Sequence, residues 1–185
     1  MIPLVHLGRP LLVLVDVVAW GLVHSITGYA VHRTGDASFA SDTWLTRERA
    51  WEQHGRRYLR FGIRRWKDRL PEAGALFAGG TSKRTVPAVA AGGLQRLAIE
   101  TRRAEWGHWS AMAPGPLFAL WNPLPIAAVM VVYGVAVNAP FIAIQRYNRL
   151  RVTRTLERAG RTSSGRGDAA ARSRNDFGIT GNNIP

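Results

Sequence analysis

What most constrains this chain is segregation: long apolar runs alternate with arginine-dense blocks instead of mixing with them. Arg and Lys outnumber Asp and Glu by 15 to 7 over residues 33–104 and by 9 to 3 over residues 145–185. Residues 1–32 balance, and residues 105–144 carry Glu105 as their single charge. Such blocks fit helices that cross a bilayer, with basic flanks on the cytoplasmic side, where Lys and Arg accumulate. Lys/Arg clusters also supply the phosphate term of nucleic-acid binding. No recognition helix or base-stacking motif accompanies them here, so no nucleic-acid partner is expected. A length of 185 residues suits one domain, and the absence of cysteine excludes disulfides, thiol nucleophiles and cysteine-ligated metal.

From Pro10 to about Val31 the run LLVLVDVVAWGLVHSITGYAV is long enough, at ~1.5 Å per helical residue, to cross a hydrocarbon core of roughly 30 Å. A cleaved signal peptide is the competing reading. Cleavage would leave the basic block outside, against the positive-inside bias, so a retained span is expected. In the next block Trp44, Leu45, Trp51, Tyr58, Leu59, Ile63, Trp66 and Leu70 recur at helical spacings, with Arg and Lys between them. That pattern predicts a basic amphipathic helix in the headgroup plane, broken near Gly62 and stopped at Leu70-Pro71. The Gly/Ala stretch from Gly74 to Gly93 predicts a loop, with helix resuming near Leu94.

Trp106 to Trp121 contains Pro114, Gly115 and Pro116, which predicts a kinked or partly re-entrant helix. WNPLP (residues 121–125) is a turn, and Leu124 to Ile144 is the cleanest span. Beyond about Gly160 the tail is rich in Gly, Ser, Arg and Asn and is expected to be disordered. The fold class expected is therefore an all-α integral membrane protein with about three transmembrane helices and a basic amphipathic interfacial helix. Its parts are an N-terminal transmembrane segment (1–32), a basic cytoplasmic region (33–104), a transmembrane hairpin (105–150) and a basic tail (151–185). The location expected is the inner (plasma) membrane, multi-pass, with the basic regions cytoplasmic.

Glu105 and His108 are three residues apart, so a helix places them on one face at the bilayer boundary. His108 could take the proton of a hydroxyl nucleophile while Glu105 fixes its tautomer, the logic of acyl transfer. The plainer alternative is that Glu105 pairs with Arg102 and His108 caps or snorkels. Glu52 and His54, in WEQHGRRY, could assist or could lie on a solvated face. Asp16 and His24 are ionisable groups inside a span, which makes them functional candidates or satisfied polar groups of the bundle. The hairpin brings Arg102, Arg103, Arg146, Arg149 and Arg151 together, suited either to a donor's phosphates or to setting topology. Asn138 and Gln145 share a helix face and could bind a sugar or join helices. A di-iron site needs a second Glu-x-x-His pair; Glu52-Gln53-His54 has the wrong spacing, so neither metal nor cofactor is expected.

Four blocks, WEQHG with its following aromatic (51–58), IRRWKDRLP (63–71), IETRRAEWGHW (99–109) and NAPFIAIQRYNRLR (138–151), resemble the glycosyl-4,4'-diaponeurosporenoate acyltransferase family. The resemblance implies a membrane enzyme that moves a fatty acyl group onto a sugar hydroxyl of a glycosylated carotenoid, completing a staphyloxanthin-type pigment. Acyl-CoA or an acyl carrier is the implied donor, a glycolipid the acceptor, and the bilayer the third partner. The matching positions are Glu52, His54, Arg64, Trp66, Lys67, Glu100, Arg102, Glu105, His108, Asn138, Gln145, Arg146, Tyr147, Asn148 and Arg149. Among these, Glu105, His108, His54 and Glu52 are the catalytic candidates. The others, apart from Glu100 and with Arg103 added, are the candidates for binding substrate. The tail beyond residue 160 and the Gly/Ala-rich loop at 73–93 depart from the family pattern. A non-enzymatic membrane adaptor subunit of an envelope complex is the alternative function.

Overall fold

The computed structural model describes residue 4, residues 7–70 and residues 91–178, with side chains through Thr162. Every regular element among them is helical. Helix α1 (Arg9–Arg33) starts with Pro10 in its first turn, where the missing N–H is no loss. It ends at Thr34, whose N–H and Oγ1 both reach back to the Ala30 carbonyl, at 3.1 and 2.8 Å. Its buried residues are Leu12, Asp16 and Trp20, four apart, so the polar group points inward. Leu11, Val13, Leu14, Val17, Val18, Leu22 and Ile26 are exposed. This is the reverse of a soluble amphipathic helix, and a face of that kind needs an apolar surrounding.

The expected amphipathic helix over 44–70 is instead a string of short pieces: a 3₁₀ turn at Ala50–Glu52, α2 (Arg56–Arg60), α3 (Ile63–Trp66) and a 3₁₀ turn at Lys67–Arg69. Gln53, His54 and Gly55 have φ of 50°, 55° and 87°, three left-handed residues in succession, so the helix cannot pass through them. Gly62, at φ 64°, makes the second break, where the sequence placed it. The backbone turns at Gly55 because it docks on the last helix: a Cβ there would sit 3.6 Å from the Tyr147 ring. Tyr58, Ile63, Ile144, Tyr147 and Leu150 form the small apolar core beneath this segment, with Trp66 and Leu70 against it. The expected loop lies outside the described residues except at its end, where helix already begins at Ala91.

Helix α4 (Ala91–Met112) stops just before Ala113-Pro114, and a 3₁₀ segment, Gly115–Leu120, carries the chain on to the 121–125 turn. Helix α5 (Leu124–Gly178) is 55 residues long and continues as far as Gly178 into the tail expected to be disordered. Pro140 lies inside α5 and removes one bond of its ladder. Among the described residues two helices, α1 and Leu124–Thr162 of α5, are long and apolar enough to cross a membrane; a third is not shown. Over residues 124–143 of α5 too the exposed residues are apolar (Leu124, Val129, Val132, Val135 among them), while Asn138, Gln145, Arg146 and Arg149 are buried.

Both neighbours of α4 run antiparallel to it. On α1, Arg103 reaches the Val31 and Thr34 carbonyls, Gly115 lies by Trp20, and Trp121 and Asn122 bond Asp16. On α5, Gly115 lies by Val131 and His108 by Asn138. The turn thus folds back onto the first span through Asp16 Oδ1, which accepts from Trp121 Nε1 and Asn122 Nδ2, both at 2.8 Å.

Candidate functional site

Where α4, α5 and the 42–58 segment meet, a buried ionic cluster forms. Arg146 is at its centre, and all five guanidinium N–H groups can be assigned. Nε donates to Glu52 Oε1 at 2.8 Å and Nη2 to Glu52 Oε2 at 2.7 Å, a bidentate fork. Nη1 donates to Glu105 Oε1 at 2.6 Å and the Leu45 carbonyl at 3.0 Å, and Nη2 also reaches the Arg47 carbonyl at 2.9 Å. Arg149 donates to Glu105 Oε2 and to the Thr46 carbonyl, and its Nε lies 3.6 Å from Asp42. Asp42 in turn accepts from Arg102 Nε at 2.6 Å.

Three carboxylates (Asp42, Glu52, Glu105) therefore face three guanidiniums (Arg102, Arg146, Arg149), so the cluster is neutral as a whole. Neutrality and complete pairing are what allow charges to be buried at all. Burial alone would raise the Glu52 carboxyl; bonds from Arg146, from Tyr58 Oη at 2.5 Å and from the Arg49 N–H at 2.6 Å hold it below its ordinary 4.5. Burial and the same Glu52 carboxylate push the Tyr58 phenol above its usual range. Left-handed geometry at Gln53 and His54 is strained, and it is kept where it turns Glu52 inward to this cluster.

His108 lies one turn beyond Glu105 on α4. Its Nδ1 is 3.0 Å from Asn138 Oδ1, while Asn138 Nδ2 donates to the Gly134 carbonyl at 2.9 Å. Because the amide nitrogen is committed to a carbonyl, the amide oxygen faces the imidazole. The Nδ1 position therefore carries the proton. Phe141 stacks on the ring at 4.9 Å and 10° and sets its plane. The partner that fixes the tautomer is thus Asn138, where the sequence suggested Glu105. Glu105 is fully buried, and its oxygens accept from Arg146, from Arg149 and, at 3.4 Å, from Trp109 Nε1.

The remaining expected site residues divide clearly. His54 is not drawn into the buried cluster: its ring pairs with Glu48 at 3.1 Å and its side chain is 66% exposed. Arg103 is engaged by the Val31 and Thr34 carbonyls and Asp36, with Phe39 beneath it at 4.9 Å. Arg102, Arg146 and Arg149 are likewise committed to internal acids and carbonyls, so they serve the fold rather than an open phosphate site. Arg64 donates to Tyr147 Oη at 3.3 Å, Trp66 to the Phe61 carbonyl at 3.1 Å, and Lys67 pairs with Asp68 at 2.6 Å. Gln145 is buried and Asn148 half-buried on α5. Sequence reasoning missed Asp42 and Thr46, isolated polar residues with no periodic signal, and the turn that joins Asp16 to Trp121 and Asn122.

Comparison with known proteins places these residues in a family. Residues 41–158 match the family described as glycosyl-4,4'-diaponeurosporenoate acyltransferase. Proteins of that name from Staphylococcus aureus strains bovine RF122 / ET3-1 and USA300 are each 30% identical over 107 residues, 57% of this chain. The match spans 64% of the length of those relatives. No solved structure matches the chain. The matched region holds the whole ionic cluster, His108 and Asn138, and the chain belongs to the glycosyl-4,4'-diaponeurosporenoate acyltransferase family.

Proposed function

We propose that this chain transfers a fatty acyl group from a thioester donor to a sugar hydroxyl of a glycolipid, a glycosylated carotenoid or a relative of one, at the cytoplasmic face of the plasma membrane. The observation that carries the reading is the Asn138–His108 pair, an imidazole of fixed tautomer one turn above a layer of buried charge. His108 Nε2 accepts the proton of the sugar hydroxyl as its oxygen attacks the thioester carbonyl. The tetrahedral intermediate expels the thiolate, which takes that proton back from the imidazolium, leaving an ester, a thiol and a neutral histidine. Asn138 orients the ring throughout, and Phe141 offers its face to the transient cation. Glu105 and Glu52 hold the scaffold through Arg146, and His54 lies at the exposed rim.

The donor's phosphates, on this reading, meet arginines that internal acids have not taken. A groove of about 400 Å³ lined by Leu59, Arg60, Gly62, Arg64 and Arg65 is the best candidate. The same register supports a topology for this reading. From Arg103 to Met112 the helix rises roughly 14 Å and the 3₁₀ segment adds about 12 Å, close to the span of α1 between Arg33 and Asp16. This segment is thus the third, broken crossing, and the basic 33–104 and 145–185 regions lie on the cytoplasmic side. The test is His108→Ala in proteoliposomes supplied with acyl-CoA and a glycolipid acceptor, scored by mass spectrometry for the ester. Product should vanish while the melting temperature stays put. Acylation by that variant at the unmodified rate removes His108 from the mechanism.

A further inference from the structure

Two polar atoms on α1 have no hydrogen-bond partner among the described residues although both are buried: Trp20 Nε1 and His24 Nε2. They belong to residues one helical turn apart, with ring centroids separated by 5.6 Å. Their chemistry is complementary. The indole N–H only donates. His24 Nδ1 lies 2.9 Å from the Trp20 carbonyl oxygen, which only accepts, so Nδ1 carries the proton and Nε2 presents a lone pair. A single hydroxyl group satisfies both, accepting from the indole and donating to the imidazole.

The indole is held firmly. It stacks on Phe118 at 4.7 Å, meets Tyr133 at 5.3 Å and is 6% exposed. The edge of its six-membered ring also lies against Gly134, where a Cβ would come to 2.7 Å from Cη2. On the lipid-facing side the spot is less enclosed, because His24 is half-buried and Tyr133 is 45% exposed. Val17, on the same side of α1, and Val132 on α5 are exposed and apolar. A hydroxyl arriving from this side therefore belongs to an amphiphile with an apolar body. The antiparallel register puts His24 between the Arg103 and Gly115 levels of α4, the interval that also contains His108.

We infer that Trp20 and His24 form a hydroxyl-binding subsite for the glycosyl head of the amphiphile that is acylated, which rests on the function proposed above. The subsite belongs to α1, outside the matched residues 41–158, so it would set acceptor choice in this chain rather than the reaction itself.

The full chain in phosphatidylglycerol/phosphatidylcholine nanodiscs, labelled with ¹⁵N-histidine, tests this without reference to turnover. The His24 signals are assigned by their loss in His24→Gln. Dodecyl β-glucoside, below its micelle-forming concentration, should shift the Nε2 resonance saturably. Dodecylphosphocholine, with the same tail and no sugar hydroxyl, should not. Trp20→Phe, checked for an unchanged melting temperature, should weaken the glucoside response about 2- to 12-fold, the worth of one net hydrogen bond. No shift, an equal shift with both amphiphiles (water or any tail), or indifference to Trp20→Phe overturns the subsite. A glucoside-specific shift in a protein without acyl transfer keeps the subsite and rejects the reaction. Normal transfer with no shift rejects the subsite alone.

Discussion

Replacing Glu105 by Gln separates a scaffolding role from a catalytic one. The side chain is fully buried and receives Arg146 Nη1, Arg149 Nη1 and Trp109 Nε1. Glutamine keeps the volume but removes the charge, and its amide nitrogen must point at a guanidinium. The cluster then holds three guanidiniums against two carboxylates, an uncompensated buried positive charge. Breaking such a pair costs about 3–5 kcal/mol. For a chain of this size that lowers the melting temperature by roughly 6–20 °C. The assay is intrinsic-fluorescence melting of purified protein in one fixed detergent.

The control is the double variant Glu105→Gln with Arg149→Met, which restores charge balance. It should melt higher than the sum of the two single changes predicts, by about 0.5–3 kcal/mol of coupling. A Glu105→Gln protein that melts with the parent, or a double variant that is simply additive, refutes the view that this carboxylate anchors the two arginines. A catalytic role alone would instead lower turnover with no change in melting.

Three further outcomes follow from the geometry. Because the folded Glu52 carboxyl titrates below its ordinary 4.5, its contribution is present above that pH and is lost as pH falls through the lowered value. The melting-temperature gap between the parent and Glu52→Gln should therefore be constant from neutral pH down to about 4.5 and close below it; a gap independent of acidification contradicts the pairing. Asn138→Ala should lower kcat by about 10²-fold with a smaller effect on KM, since it releases the tautomer of the base; an unchanged kcat removes its orienting role. Gly55→Ala should cost about 1–2 kcal/mol, since alanine pays for left-handed backbone where glycine does not. Equilibrium melting that leaves this variant unshifted would show that the turn relaxes freely.

Some of this architecture is written locally and some is not. The two helices long and apolar enough to cross a membrane are legible because burial in lipid demands an unbroken apolar run, and Leu124 to Ile144 supplies one. Glu105 and His108 are legible as residues sharing a helix, since a spacing of three is a property of the helix alone. The periodicity from Trp44 to Leu70 misleads: apolar residues do recur at helical spacing, yet Gln53, His54 and Gly55 adopt left-handed backbone. The demand comes from Arg146, 94 residues away from Glu52, and no local pattern reports it. The same holds for the arginines. Composition makes them a patch for phosphates, but register decides which ones meet an acid, and Asp42, Glu52 and Glu105 claim Arg102, Arg146 and Arg149 first.

The guanidinium at position 146 ties together pieces made at very different times. Glu52, the 45–47 carbonyls and Glu105 all leave the ribosome well before α5 does, and each must remain hydrated until that helix docks. Assembly of the cluster is therefore gated by the last helix made: the 42–58 segment can lock down only once α5 is in place. A truncated chain lacking α5 leaves Glu52 and Glu105 without their guanidiniums and the 42–58 segment without its latch.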